Sequence, residues 1–141
     1  MRAFRLLLRP VLVCIVAGCS SNTTGSSSNN APPPTPTSND IGIGIGAETR
    51  TTTAFNPNPK TVALAGGASV AVRWVNQDIS GGDYTMGTAV VHNITSDNGA
   101  FAPSGPLGGN AVYSINLTAA GSYNYHCSIH PNMVGTIVVS P

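Results

Sequence analysis

The run Tyr125-His126-Cys127-Ser128-Ile129-His130-Pro131-Asn132-Met133 sets a thiol, an imidazole and a thioether at Cys-x2-His-x2-Met spacing. A second imidazole, His92, stands upstream at the end of another predicted strand. Two imidazoles, a thiolate and a weak axial thioether form the trigonal donor set that suits a copper ion passing single electrons. Soft sulfur stabilises Cu(I), and imidazole serves both oxidation states. A rigid intermediate geometry leaves little rearrangement when the electron moves. A Cys-x2-His pair alone would say little; the methionine, the distant histidine and the β context agree with it.

The competing readings of these residues are structural. Cys127 also reads as a small buried hydrophobe, Met133 as core filler and His92 as a loop histidine. Met86 is a poor axial candidate. His126 precedes Cys127 in a strand, so their side chains point to opposite faces, and it reads as a surface or packing residue. Tyr123 and Tyr125 share the Cys127 face and read as core aromatics. Asn93-Ile94-Thr95 matches a glycosylation sequon.

Cysteine usage sharpens the case. The chain has three cysteines. Arg2, Arg5 and Arg9 surround Leu6-Leu7-Leu8, and an apolar run Val11–Val16 follows, too short to span a bilayer. It closes on Val16-Ala17-Gly18-Cys19, which resembles the bacterial lipobox. That resemblance implies cleavage before Cys19, lipid on its thiol and new amino group, and an extracytoplasmic protein held at a bacterial envelope membrane, in the periplasm or at the cell surface. Cys14 leaves with the leader, so Cys127 remains alone. An unpaired thiol in an oxidising compartment is either buried and inert or binds something.

Without the leader, Arg50, Lys60 and Arg73 face Asp40, Glu48, Asp78, Asp83 and Asp97, a small and scattered net negative charge. No basic stripe offers nucleic acid a footprint. From Ser20 to about Asp40 the chain is Ser, Asn, Thr and Pro, too polar to offset its ordering entropy. Pro32-Pro33-Pro34 stiffens that tether toward an extended form. The division expected is residues 1–18 as leader, 19–45 as lipidated cysteine and linker, and 46–141 as the folded domain. The repeat Ile41-Gly42-Ile43-Gly44-Ile45-Gly46 reads either as a flat edge strand or as more linker.

The domain reads as all-β. Alternating or β-branched runs fall at Thr61–Ala65, Ser69–Asn76, Ala89–Thr95, Ala111–Leu117, Ser122–Cys127 and Gly135–Val139, separated by Gly, Pro, Asn and Asp clusters. No window carries a helical stripe. Short strands at this spacing suggest a sandwich or barrel. In β-periodicity Val70, Val72 and Trp74 face inward, with Ala71, Arg73 and Val75 opposite.

Gly67-x2-Val-x-Val-x-Trp-x-Asn76, His92-Asn93, Gly121-x-Tyr-x-Tyr-His-Cys127 and His130-Pro131-x-Met-x-Gly135 together resemble the cupredoxins of the plastocyanin/amicyanin group, over roughly Phe55 to Val139. The short loop around His130 is similar to the amicyanin version. The resemblance implies a Greek-key β-sandwich and one type-1 copper cycling between Cu(I) and Cu(II), held by His92, Cys127, His130 and Met133. It also implies that Asn93 bonds across to the Ser128 region and locks the ligand loop. The chain departs from the family where thirteen residues separate Asp78 from His92.

The function expected is electron transfer at the cell envelope by a monomeric, non-enzymatic copper protein. The alternative is a copper-binding module for storage or delivery. Multicopper oxidases rank below both, since they need further ligands and only His126 is left over. Transient redox partners would dock on an apolar patch around His130, formed by Ile129, Pro131, Met133 and parts of Pro103–Leu107.

Overall fold

The computed structural model of the chain describes residues 35–64, 66–79 and 89–141. The leader, Cys19, Met86 and most of the stretch between Asp78 and His92 lie outside them. Eight strands follow in chain order: β1 (Asp40–Ile43), β2 (Phe55–Asn56), β3 (Lys60–Ala63), β4 (Val70–Asn76), β5 (Thr95–Ser96), β6 (Val112–Leu117), β7 (Gly121–His126) and β8 (Val134–Ser140). The only helical turn among the described residues is a 3-10 turn, Ala47–Thr49. The all-β expectation holds.

The strands form two four-stranded sheets, ordered β2-β1-β4-β6 and β3-β8-β7-β5. Both are mixed: β1 runs parallel to β4 and β3 parallel to β8, while the remaining pairs are antiparallel. Alternation along β4 buries Val72 and Trp74 completely. Asn76 continues that buried face, and Val75 is buried as well because at this end of β4 the opposite face is also covered.

Aromatic rings join the layers. Trp74 of the first sheet meets Tyr125 of the second edge-on at 5.1 Å, and Phe55 meets Tyr125 at 4.8 Å. Such pairs favour edge-to-face contact because the ring face is negative and the rim positive. Tyr123 is partly buried against the core and its hydroxyl donates to Ala119 O at 2.7 Å.

Two boundaries differ from the sequence reading. The Ile-Gly repeat is not linker, and the folded domain begins by Asp40 rather than at residue 46. Its strand, β1, lies inside its sheet between β2 and β4 instead of at an edge. Ile41 and Ile43 are fully buried, with small glycines on the other face, so the two-residue repeat is an inside–outside alternation. Arg73 clamps this strand by a two-pronged ion pair, Nε and Nη2 each 2.8 Å from an Asp40 carboxylate oxygen. The expected strand Ala89–Thr95 is mostly irregular, with isolated bridges at Ala89 and His92 before the two residues of β5. Its backbone groups pair with loops instead: Val90 N donates to Asp78 O, and Ile94 N to Ser104 Oγ.

Candidate metal centre

The ligand candidates converge at one end of the sandwich from two segments. Cys127 follows β7, and its side chain points into the core on the Tyr125 face, fully buried. His126, one residue earlier, points the other way and bonds Asp97 Oδ1 through Nδ1 at 2.6 Å. The strand period thus separates the two. Between β7 and β8 the chain closes a tight loop: Cys127 N donates to Met133 O at 3.1 Å, and Met133 N donates to His130 O at 2.9 Å. His92 arrives from the irregular stretch before β5, held by reciprocal backbone bonds with Leu107 of 2.7 and 3.2 Å.

His92 Nδ1 lies 4.0 Å and His130 Nδ1 3.8 Å from Cys127 Sγ, and the two nitrogens are 3.2 Å apart. A point equidistant from all three atoms is about 2.1 Å from each, inside the range of about 2.0–2.3 Å for metal–nitrogen and metal–thiolate bonds. Three electron-pair donors this close, with the thiol and His92 buried, are the arrangement a metal ion relieves. The donor set fits one copper ion of type-1 character. Met133, the fourth residue, is fully buried on the same loop.

Electrostatics prepare the ligands. Burial opposes the Cys127 thiolate, yet hydrogen bonding from His92 and from the backbone N–H groups of Asn93, His130 and Ile129 brings its pKa down to about 6. The Asn93 N–H to Sγ distance is 3.5 Å. Burial likewise works against charge on His92, but Cys127 on one side and Asp78 on the other raise its pKa. Asp78, also buried, is held below the usual carboxylate range by His92 and by the Gly46 N–H, which outweigh its desolvation.

Asn93 and Ser128 tie the segments together. Ser128 N donates to Asn93 Oδ1 at 2.7 Å, and Asn93 Nδ2 donates to Ser128 Oγ at 2.6 Å. The loop bearing Cys127 and His130 is thereby fixed to the residue after His92.

The patch differs in membership from the sequence reading. Met133 is fully buried and Leu107 is 6 % exposed, because both pack into the core beneath the loop. Of the residues expected there, Ile129, Pro131, Pro103 and Pro106 are exposed. His130 itself is half-buried and presents part of its ring to solvent.

Two residues escaped the sequence reading. Asp78 bonds His92 Nε2 at 2.9 Å, with both side chains buried. Glu48 lies in the same cluster. An isolated acid fourteen positions before a histidine carries no local pattern, so only the fold reveals the pair.

No family model matches the chain. Over 69 residues it is 35 % identical to amicyanin of Paracoccus denitrificans, an alignment that spans 48 % of this chain. It covers 47 % of that relative, about half its length. Among solved structures, a purple cupredoxin from Nitrosopumilus maritimus superposes with a TM-score of 0.56 at 28 % identity, over 72 % of this chain and 98 % of that one. The chain is a cupredoxin by fold. A methionine variant of amicyanin in its Cu(I) form superposes similarly, with a TM-score of 0.53 at 22 % identity, over 72 % of this chain and 80 % of that one. In a cupredoxin sandwich of this kind, both the segment before β5 and the β7–β8 loop end at the same pole. The fold therefore accounts for the convergence of His92 with Cys127 and His130.

Proposed function

We propose that this chain is a type-1 copper electron carrier of the cell envelope, with His92, Cys127, His130 and Met133 as its ligands. The observation that carries the reading is the triangle of His92 Nδ1, His130 Nδ1 and Cys127 Sγ, whose centre suits a metal ion. A bound copper ion supplies a one-electron Cu(I)/Cu(II) couple. The protein's own residues keep its surroundings constant. The Asn93–Ser128 clamp and the Cys127–Met133 backbone bond hold the loop in one shape, and the buried His92 and Cys127 exclude water from one side. His130 offers a ring edge to the outside amid Ile129 and Pro131. A small apolar contact of this type suits brief docking with a redox partner.

Residues 1–18 act as a lipoprotein leader, and Cys19 carries the lipid that holds the protein at the envelope. The Val16-Ala17-Gly18-Cys19 run and the polar tether behind it support this.

Adding Cu(II) to the purified protein tests the function. An intense visible thiolate-to-copper charge-transfer band and reversible one-electron cycling are expected. Copper taken up without that band would refute the assignment. Copper held in one oxidation state only, and yielded readily to a chelator, would identify a store or delivery module instead.

A further inference from the structure

The side chain of Asp78 sits where β4 gives way to the long stretch before His92, and it is 1 % exposed. Gly46 N meets its carboxylate at 2.8 Å on Oδ1, Ala47 N at 3.2 Å and His92 Nε2 at 2.9 Å on Oδ2, and the Glu48 side chain bonds it as well. Gly46 reaches it from a left-handed backbone conformation (φ 72°) that opens the 3-10 turn, a conformation glycine adopts without strain. The backbone of Asp78 is fixed too, its N–H donating to Asn76 Oδ1 at 2.9 Å. Asn76 is itself fully buried and donates through Nδ2 to Val90 O and Leu107 O, both at 2.8 Å. The same Leu107 brackets the His92 backbone. One buried polar scaffold thus fixes the carboxylate and the histidine together.

A carboxylate accepts hydrogen bonds, so His92 Nε2 must be the protonated nitrogen of the pair. A metal at the centre of the donor triangle then meets the Nδ1 lone pair. The nearest further charge-bearing group is Glu48, whose carboxyl group lies with the Asp78 carboxylate and a His92 ring nitrogen inside a 4.8 Å cluster.

We infer that Asp78 is the positioning residue of the metal centre: its buried carboxylate fixes His92 with Nδ1 toward the metal and biases the site toward the oxidised ion. The inference rests on the copper reading above. The bias follows from charge. With the Cys127 thiolate and the Asp78 carboxylate close by, a monovalent ion leaves this poorly solvated place one charge more negative than a divalent ion does, whatever charge Glu48 adds. Uncompensated charge there is costly. A carboxylate behind a ligating imidazole also makes that imidazole a stronger donor.

Asp78→Asn in the full-length chain removes the charge and keeps an oxygen acceptor. It should retain the visible band while weakening Cu(II) binding by about 10–100-fold, with Cu(I) binding changed far less. The potential should therefore rise by about 59 mV for each tenfold change in that ratio. A lower melting temperature with an unchanged ratio would make Asp78 a structural brace and overturn the inference. If the variant does not fold, nitrogen-15 NMR of the wild-type Cu(I) protein decides. A proton on His92 Nε2, protected from water and shifted downfield, is expected; an unprotonated Nε2, or one exchanging freely, would overturn it. Wild-type protein that binds copper without a charge-transfer band would defeat the copper reading. A coloured Asp78→Asn variant with the wild-type potential would defeat only the role of Asp78.

Discussion

Cys127 combines three properties at one residue: burial, a lowered pKa and two imidazole nitrogens within 4.0 Å. Replacing its sulfur with oxygen removes the soft covalent donor, so Cys127→Ser should abolish the visible charge-transfer band, read directly by absorption. Met133 is different, being expected as a weak axial donor. Met133→Gln should keep copper but lower the potential by at least about 59 mV, a tenfold bias toward Cu(II) from the oxygen donor. Voltammetry checks it, and an unchanged value would remove Met133 from the axial position. At this scale the sequence was informative because ligand chemistry is local: Cys127, His130 and Met133 lie on one short loop. Asp78 was invisible for the opposite reason. Its partner, His92, stands fourteen positions further along the chain, and no periodicity announces that the two meet.

At the scale of elements, the alternating runs at β4, β6, β7 and β8 could be read because one face of each is buried and the other is not. The β1 repeat reads from sequence as either a flat edge strand or linker, because Ile-Gly repetition resembles low complexity and its interior place in the sheet depends on non-local pairing with β4. That pairing makes a pH prediction. Asp40 has its pKa lowered from 3.8 to about 2: burial raises it, but the Arg73 hydrogen bonds and those from Thr37 more than offset this. A depressed folded-state pKa gives stability that is present above about 3.8 and lost as pH falls toward about 2. Asp40→Asn should therefore lower the melting temperature at neutral pH by roughly 4 °C. The difference from wild type should vanish between pH 3.8 and about 2, as thermal melts across that window would record. Gly135 supplies a second test. It pairs with Tyr125 across β7 and β8, and a Cβ there would lie 2.3 Å from Tyr125 Cζ. Gly135→Ala should displace that ring from its Trp74 and Phe55 contacts and cost about 1–3 kcal/mol in denaturant unfolding. The final glycine of the His130-Pro131-x-Met-x-Gly135 pattern is thus explained by packing rather than by the metal.

For the whole molecule, the two sheets present their shared pole as the reactive end. The apolar residues beside the ligands are few, which fits contact that forms and breaks quickly rather than a permanent complex. The proposed lipid anchor belongs to this scale as well. Cys19→Ser should shift the protein from the membrane fraction to the soluble fraction and abolish labelling by a fatty-acid probe, without changing its copper spectrum. Membrane retention of the variant would mean that something other than Cys19 holds it there.

The interior position of β1 also bears on how such a protein could be shed. A protease cutting at or before Thr35 would release a fragment with all eight strands, the Arg73–Asp40 clamp and the Gly46–Asp78 contact intact. A cut only a few residues later, within Asp40–Ile43, would pull a middle strand from its sheet and leave β2 and β4 with bare edges. The same cut would loosen the backbone turn that grips Asp78 behind His92. Thr37 holds the Asp40 carboxylate, and Asn39 bonds Ala71 O, so the zone of harmless trimming ends near Thr35 and integrity of the metal centre would report cleavage beyond Asp40.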